Sequence, residues 1–406
     1  MTEEFFTHKK MEHYLDNSST TKPSEAAKSA AVAAMEFWGN PSSTHSVGQA
    51  AARLLTESRT KVGSALGMAR FSRDRLIFTS TGTEANCLAM LGCADSKKRT
   101  PKNGFLGKII LSDSEHPSLE NPAKKLEEEG YLVRRIPTRS GILDLDALKS
   151  VLTEDDIPVV FAGFMLVNNE TGAIYDIKSA AAAVKAAYPA AVVHCDAVQG
   201  FMKLKFTPAA LGVDTLSVSA HKIHALRGAA ALYLSEDIQK KRNISAVNPG
   251  GGQEDGLRSG TENLVSIAAF AAACEAEKAD FEANTAHVAA LRTYLEDRLC
   301  DIGSEGEITI NRPAGAYLPN ICNISVKGIR SEVMLNHLSS LGVYVSAGSA
   351  CSAHAKKQSQ ALTAFGLDKS SIESAVRISM SHENTKDDID ALIAGIESGL
   401  NRLKRR

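Results

Sequence analysis

Short apolar runs of strand length recur between Arg75 and Leu234, and most are separated by stretches whose apolar residues fall at helical spacing. This alternation constrains the chain more than any other feature. A strand followed by a helix returns to pair in parallel, and a parallel sheet must be covered on both faces. The runs are Arg75–Thr79, Lys108–Leu111, Tyr131–Ile136, Val159–Leu166, Ala191–Cys195, Thr215–Val218 and Ala230–Leu234. Ahead of them, Val47, Ala51, Leu54, Leu55, Val62 and Leu66 follow the i, i+3/i+4 rule of a helix with one buried face. The pattern predicts an α/β fold built on a mainly parallel sheet covered by helices.

Beyond the polar, glycine-rich segment Asn248–Asn263 the texture changes to a helical stretch from Leu264 to about Leu299. Two short strands follow, Ile321–Val326 and Val343–Ser346, then a small-residue loop, a helix, the strand Ala375–Met380 and a last helix. We therefore expect a large domain over residues 14–263 and a smaller α+β domain over 264–406, with residues 1–13 packing on the smaller domain or forming an extension.

Lys and Arg number 46 against 47 Asp and Glu, a net charge of −1, so no global field favours nucleic acid or an anionic membrane as partner. The longest apolar stretches, such as Pro158–Val167, are about half of the ~20 residues a membrane span needs. The seven cysteines include no Cys-x-x-Cys pair and no zinc-like spacing, which suits a reducing compartment. The first ten residues have neither the basic and apolar segments of a signal peptide nor the Arg-rich character of a transit peptide, so a cytoplasmic location is expected.

In open parallel sheets ligands bind beyond the carboxyl ends of the strands. Five polar groups follow apolar runs here: Ser80 to Glu84; His116; Asn168 and Asn169; Asp196 and Gln199; and Ser219, His221 and Lys222. The first offers hydroxyls and free N–H groups at a helix start, the usual way to hold a phosphate. It matches neither a Walker loop nor Gly-x-Gly-x-x-Gly. A Lys, a carboxylate and a phosphate cradle at three strand ends have one economical joint meaning, pyridoxal 5'-phosphate: the amine bonds the aldehyde, and the carboxylate keeps the ring nitrogen protonated. Taken singly, each residue has a plainer reading, with Asp196 as a helix cap, Lys222 as a surface lysine and His116 as a satisfied polar residue. His221 and His224 stand at i, i+3, but no carboxylate or Cys at suitable spacing completes a metal site.

The strings Ser219-Ala220-His221-Lys222, His194-Cys195-Asp196-Ala197-Val198-Gln199, Val167-Asn168-Asn169-Glu170-Thr171-Gly172, Ser114-Glu115-His116 and Arg258-Ser259-Gly260-Thr261 resemble those of the NifS/IscS-like cysteine desulfurases, class V members of the fold-type I, aspartate aminotransferase-like enzymes. The likeness runs from about Tyr14 to beyond Arg377. It implies that Lys222 carries the cofactor, that Asp196 faces the pyridine nitrogen, and that His116 stacks on the ring and moves protons. Gln199 and Asn169 would address the ring hydroxyl and the substrate. Thr83 with Gly82, Ser219 and His221 would hold the phosphate, helped by Thr261 of a second subunit, so a homodimer is expected.

Ser346-Ala347-Gly348-Ser349-Ala350-Cys351-Ser352-Ala353 is a run of small residues with one thiol, suited to a loop that carries a nucleophile, and it is similar to the family's Ser-x-Gly-Ser-Ala-Cys motif. Arg377 lies in an apolar strand where a charge needs a partner, and guanidinium grips a carboxylate with two prongs. An internal salt bridge and a substrate α-carboxylate both satisfy that need; the resemblance selects the substrate. The activity implied is conversion of L-cysteine to L-alanine, with the sulfur passed to Cys351 as a persulfide for an acceptor protein, as in iron–sulfur cluster assembly. The alternatives are a selenocysteine lyase or other class V lyase, and a catalytically silent interaction protein on the same fold. Ala225 and Leu226 depart from the family pattern, standing where it commonly has a Gly-Pro turn. Cys87 stands where Asn is frequent; we read it and Cys195 as packing variants.

Overall fold

The computed structural model describes residues 12–68, 75–96, 99–347 and 358–403, which form two compact units. In chain order the strands are β1 (His13–Tyr14), β2 (Arg75–Thr79), β3 (Lys108–Ser112), β4 (Leu132–Ile136), β5 (Val159–Met165), β6 (Val192–Asp196), β7 (Thr215–Ser219), β8 (Ala230–Leu234), β9 (Ile308–Ile310), β10 (Ile321–Val326), β11 (Val343–Tyr344) and β12 (Ala375–Ser379).

The larger unit, Thr21–Asn168 with Ile174–Phe281, is built on one seven-stranded sheet in the order β2-β8-β7-β6-β5-β3-β4. Neighbours from β7 to β4 are parallel, whereas β8 runs antiparallel to both β7 and β2. All strands but β8 therefore point the same way, and their carboxyl ends share one edge. Strands β3, β5, β6, β7 and β8 are buried along their whole length, as continuous apolar runs in a doubly covered sheet should be. The core combines Ile77, Ile109, Leu111, Phe161 and Leu232 from the strands with Leu88, Met90, Leu119 and Leu126 from the helices Gly82–Asp95 and Pro117–Glu128. Each of these helices starts from a capping residue a few positions past its strand, Thr81 after β2 and His116 after β3.

The smaller unit takes in the described residues up to Thr20, the segment Asn169–Ala173 and the chain from Glu282 onward. It holds an antiparallel sheet β12-β10-β9 and a parallel pair β1-β11. Its core joins Leu15, Cys322, Ile324, Val376 and Ile378 to Leu295, Leu338, Leu392 and Ile396 of the helices Phe281–Cys300, Ser331–Ser340 and Lys386–Leu403.

These limits differ from the domains expected at 14–263 and 264–406. The stretch from Leu264 is two helices, and the first, Leu264–Ala279, packs its apolar surface on the helices Glu25–Ala34 and Ser46–Ala65 of the larger unit. Residues 169–173 join the smaller unit because the Asn169 carbonyl accepts from Arg377 at 3.0 Å, the Gly172 carbonyl from the Leu318 amide at 2.8 Å and the Glu170 carbonyl from Asn323 at 3.2 Å. Such long-range pairings carry no local signature. Strands β1 and β9, at two and three residues, were likewise too short for periodicity to reveal. Among the described residues no helix is long and apolar enough to cross a membrane.

Candidate active site

The carboxyl ends of β2, β3, β6 and β7 bring Gly82, Thr83, His116, Asp196, Gln199, Ser219, His221 and Lys222 to one edge of the larger unit's sheet. Asp196 closes β6 and is buried. Its Oδ1 accepts from the Val198 amide at 3.0 Å and its Oδ2 from Asn86 Nδ2 at 2.7 Å. Lys222 ends a single 3-10 turn directly after β7 and is half-buried. Gln199 is buried on the turn after β6.

Gly82 begins the helix Gly82–Asp95, with a Cβ there falling 3.1 Å from Val198 Cγ2 and close to Ser219. The missing side chain leaves the helix start open, with Thr83 exposed beside it. Ser219 Oγ is buried with no hydrogen-bond partner among the described residues. A buried hydroxyl without a partner costs free energy, so a group rich in acceptor oxygens fits the place. Helix N–H groups, the Thr83 and Ser219 hydroxyls and the nearby His221 suit a phosphate. Burial, followed by the cations Lys222, Arg227 and Lys203, pushes His221 down to about 4, so it meets such a ligand as a neutral ring.

His116 caps the helix Pro117–Glu128, its Nδ1 accepting from the Ser118 amide at 3.1 Å and lying 2.8 Å from Ser118 Oγ. Burial holds it below the ordinary imidazole range; Asp196 opposes and Lys222 reinforces that effect. The preceding residue, Glu115, is pushed up to about 8 by burial, despite bonds from Ser112 Oγ at 2.5 Å and the Met165 amide at 2.9 Å. At neutral pH its carboxyl is protonated, which keeps a second negative charge away from Asp196. His194 on β6 is pushed down to about 3 by burial alone.

The neutral His194 has a consequence for stability. Unfolded, the ring titrates at its ordinary 6.5, so below that pH the unfolded chain binds a proton that the folded chain refuses until about pH 3. Its contribution is complete above pH 6.5 and declines as pH falls towards 3, by about 1.4 kcal/mol per pH unit. In urea unfolding measured from pH 7 to pH 4, wild type minus His194→Gln should show this slope; parallel curves would refute it.

The loop after β8 is clamped to this edge. Arg258 Nε meets Glu84 Oε1 at 2.8 Å, Arg258 Nη2 donates to Ser80 Oγ at 2.7 Å, and the Ser80 amide donates to Glu84 Oε2 at 2.6 Å. Burial works against the Glu84 charge, but the bonds from Arg258 and Ser80 outweigh it and hold Glu84 below the usual carboxylate range. Gly260, at φ +104°, turns the chain so that Thr261 is exposed.

Where Ala225 and Leu226 replace a Gly-Pro turn, His224 adopts a left-handed φ of 60° and is pinned on three sides. Its amide donates to Thr21 Oγ1 at 2.7 Å, its carbonyl accepts from the Ser24 amide at 2.8 Å, and Nδ1 bonds the Lys22 carbonyl at 3.0 Å. The segment 21–24 thus shapes the turn after Lys222, with Ala225 buried beneath it.

Asn169 and Arg377 lie in the smaller unit. Arg377 is 2 % exposed, with Nη1 on the Asn169 carbonyl and Nη2 on Asp16 Oδ1 at 2.8 Å and Ser19 Oγ at 2.7 Å. The internal ion pair, one of the two partners expected for Arg377, is therefore formed, while Arg377 Nε is buried with no partner among the described residues. The Arg377 backbone exchanges hydrogen bonds with Ser346 at 2.7 and 3.1 Å. Ser359 caps the helix Gln360–Phe365 and bonds Glu170 Oε2 at 2.6 Å. Cys351 lies outside the described residues. Of the described thiols, burial raises the pKa of Cys87, Cys195, Cys274 and Cys322, with nearby acids adding to the effect at the first three. These four are held in the poorly nucleophilic thiol form.

Residues 13–392 match the aminotransferase class-V family. The chain belongs to that family. Its class-V relatives include a NifS/IcsS protein homolog from Lactobacillus delbrueckii subsp. bulgaricus, 36 % identical over 397 residues that cover 95 % of this chain and 96 % of the relative. A cysteine desulfurase IscS from Dictyoglomus turgidum is 33 % identical over 401 residues, 97 % of this chain and 96 % of the relative. A NifS-like protein from Rickettsia africae has the same fold at a TM-score of 0.84 and 31 % identity, over 96 % of this chain and 99 % of the other.

The sequence reading gave no role to Asn86, Ser118, Ser217 or Asp16. Asn86 carried a usable signal, a polar residue on the apolar face Ala85, Leu88, Ala89 of a helix that the structure buries almost all round. Asp16 carried none, since its pairing with Arg377 spans 361 residues.

Proposed function

We propose that this protein is a pyridoxal-phosphate-dependent cysteine desulfurase that converts L-cysteine to L-alanine and leaves the sulfur on Cys351 as a persulfide. The observation that carries the reading is the delivery of an amine (Lys222), a buried carboxylate (Asp196) and an open helix start beside a partnerless hydroxyl (Gly82, Ser219) to one sheet edge. The full-length relatives named cysteine desulfurase support the same substrate.

When bound, the cofactor supplies an electron sink for the carbanion formed at the substrate Cα. Lys222 Nζ would hold the cofactor through its aldehyde and would keep the proton taken from the substrate Cα. Asp196 would pair with the ring nitrogen and keep its proton in place. His116 would stack on the ring and move protons, Gln199 and Asn169 would address the ring hydroxyl and the substrate, and Thr83, Gly82, Ser219 and His221 would cradle the phosphate. Thr261 would reach the phosphate of a second subunit, so that the working form would be a homodimer. Arg377 receives the α-carboxylate through its partnerless Nε and through a nitrogen now shared with Asp16 and Ser19. The Cys351 thiolate attacks the substrate sulfur; one C–S bond breaks, one S–S bond forms, and alanine leaves with a proton at Cβ. The persulfide then passes to an acceptor protein in a reducing, cytoplasmic setting, with iron–sulfur cluster assembly the expected outlet.

Intact mass after brief exposure to cysteine tests the reading. Wild type should gain one sulfur atom and Cys351→Ala none, with alanine release from the variant slower by about a hundredfold or more. Alanine released by Cys351→Ala at the wild-type rate would instead indicate a lyase for a related β-substituted amino acid.

A further inference from the structure

Four hydrogen bonds converge on the buried side chain of Asn86, in the helix Gly82–Asp95. One, to Asp196 Oδ2 at 2.7 Å, has a direction that cannot be reversed, because a carboxylate only accepts. That end of the amide is therefore Nδ2, and its second hydrogen goes to Ser118 Oγ at 2.8 Å. The opposite end, Oδ1, can only accept, so Ser217 Oγ at 2.5 Å and His194 Nε2 at 2.9 Å must both donate to it. His194 is a neutral ring, so with its proton on Nε2 its Nδ1 accepts from Thr215 Oγ1 at 2.8 Å.

The same logic passes outward through Ser118. Its hydroxyl oxygen already receives the Asn86 hydrogen, which directs its own proton to His116 Nδ1, 2.8 Å away. The Ser118 amide donates to the same nitrogen at 3.1 Å. With two donors aimed at Nδ1, a neutral His116 carries its proton on Nε2, the ring atom with no hydrogen-bond partner among the described residues.

We infer that Asn86 is a positioning residue that holds the Asp196 carboxylate and, through Ser118, dictates which nitrogen of His116 bears the proton. All of these side chains belong to the larger unit. The arrangement gives His116 an N–H on its open side and reserves Nδ1 for the protein. The charges felt by His116 are Asp196 and Lys222, and neither approaches Nδ1 through a hydrogen bond. The importance of this wiring for turnover rests on the function proposed above; the wiring itself does not.

Nitrogen-15 NMR of the full-length protein labelled at histidine tests it, with His116→Gln identifying the resonance. Wild type should show one neutral form of His116, protonated at Nε2. In Asn86→Leu the Ser118 hydroxyl is released from its donor and accepts from Nδ1–H, so the neutral ring becomes a mixture of both forms. In Ser118→Ala one of the two donors to Nδ1 is lost, and the midpoint of the His116 titration should rise by roughly half a pH unit. If Asn86→Leu does not fold, Asn86→Ala takes its place. A wild-type ring protonated on Nδ1, or a form and midpoint unchanged in both folded variants, would overturn the inference. Because no turnover is measured, these results stay distinct from a failure of the desulfurase reading, which would appear as the expected NMR shifts without sulfur transfer.

Discussion

Lys222→Ala is expected to emerge colourless from purification and to release alanine from cysteine more than about a thousandfold more slowly than wild type. The size follows from two duties that the proposed function assigns to one amine, covalent attachment of the cofactor and custody of the Cα proton. Loss of either alone costs about 10²–10⁴-fold in typical enzymes. The fold should survive, because Lys222 is half-buried on a turn whose shape is set by backbone bonds: the Ala220 amide to the Ala229 carbonyl at 3.1 Å and the Ile223 amide to the Ala220 carbonyl at 3.0 Å. Absorbance of the purified protein, circular dichroism and alanine release together check the expectation. A variant that keeps covalently bound cofactor, or that turns over within tenfold of wild type, would remove Lys222 from the role.

The largest effect on stability is expected at Glu254, far from any reacting group. Its carboxylate is 1 % exposed and meets Arg59 through two bonds of 2.7 Å, while Oε2 also accepts from the Phe78 amide at 2.7 Å. Arg59 in turn donates to the Leu76 carbonyl and lies 4.8 Å from the Phe78 ring centre. Glu254→Ala would leave a partly buried guanidinium without its anion and a strand amide without its acceptor, a loss of about 3–5 kcal/mol. Glu254→Gln keeps an acceptor for Phe78 and should lose less. Urea unfolding of the three proteins checks the order. A loss below about 1 kcal/mol for the alanine variant would mean that the pair contributes no more than an exposed one. Because Glu254 also anchors the loop that carries Arg258 and Thr261, the same substitution should loosen the subunit contact expected there.

The strand runs were legible because buried parallel strands must be continuously apolar, and Val159–Met165 and Thr215–Ser219 advertise that directly. That Lys222, Asp196 and His116 share one sheet edge was legible for a related reason, since each lies just past such a run, although each taken singly had a plainer reading and His116 does cap a helix. Their supports were not. Asp16 and Arg377 are joined across 361 residues, and Asn86 touches residues up to 131 positions away, so no local pattern announces either contact.

The sequence by itself determined the alternation of strands and helices, the chemistry-bearing residues at the strand ends and the family to which they belong, because each is written in local order and residue type. Only the tertiary structure decided that residues 169–173 side with Arg377, that Thr21 to Ser24 shape the turn after Lys222, and that one asparagine amide bonds both Asp196 and Ser118. Those outcomes depend on which buried donors and acceptors find one another once the chain has closed, and a buried polar group must find a partner wherever in the sequence that partner lies.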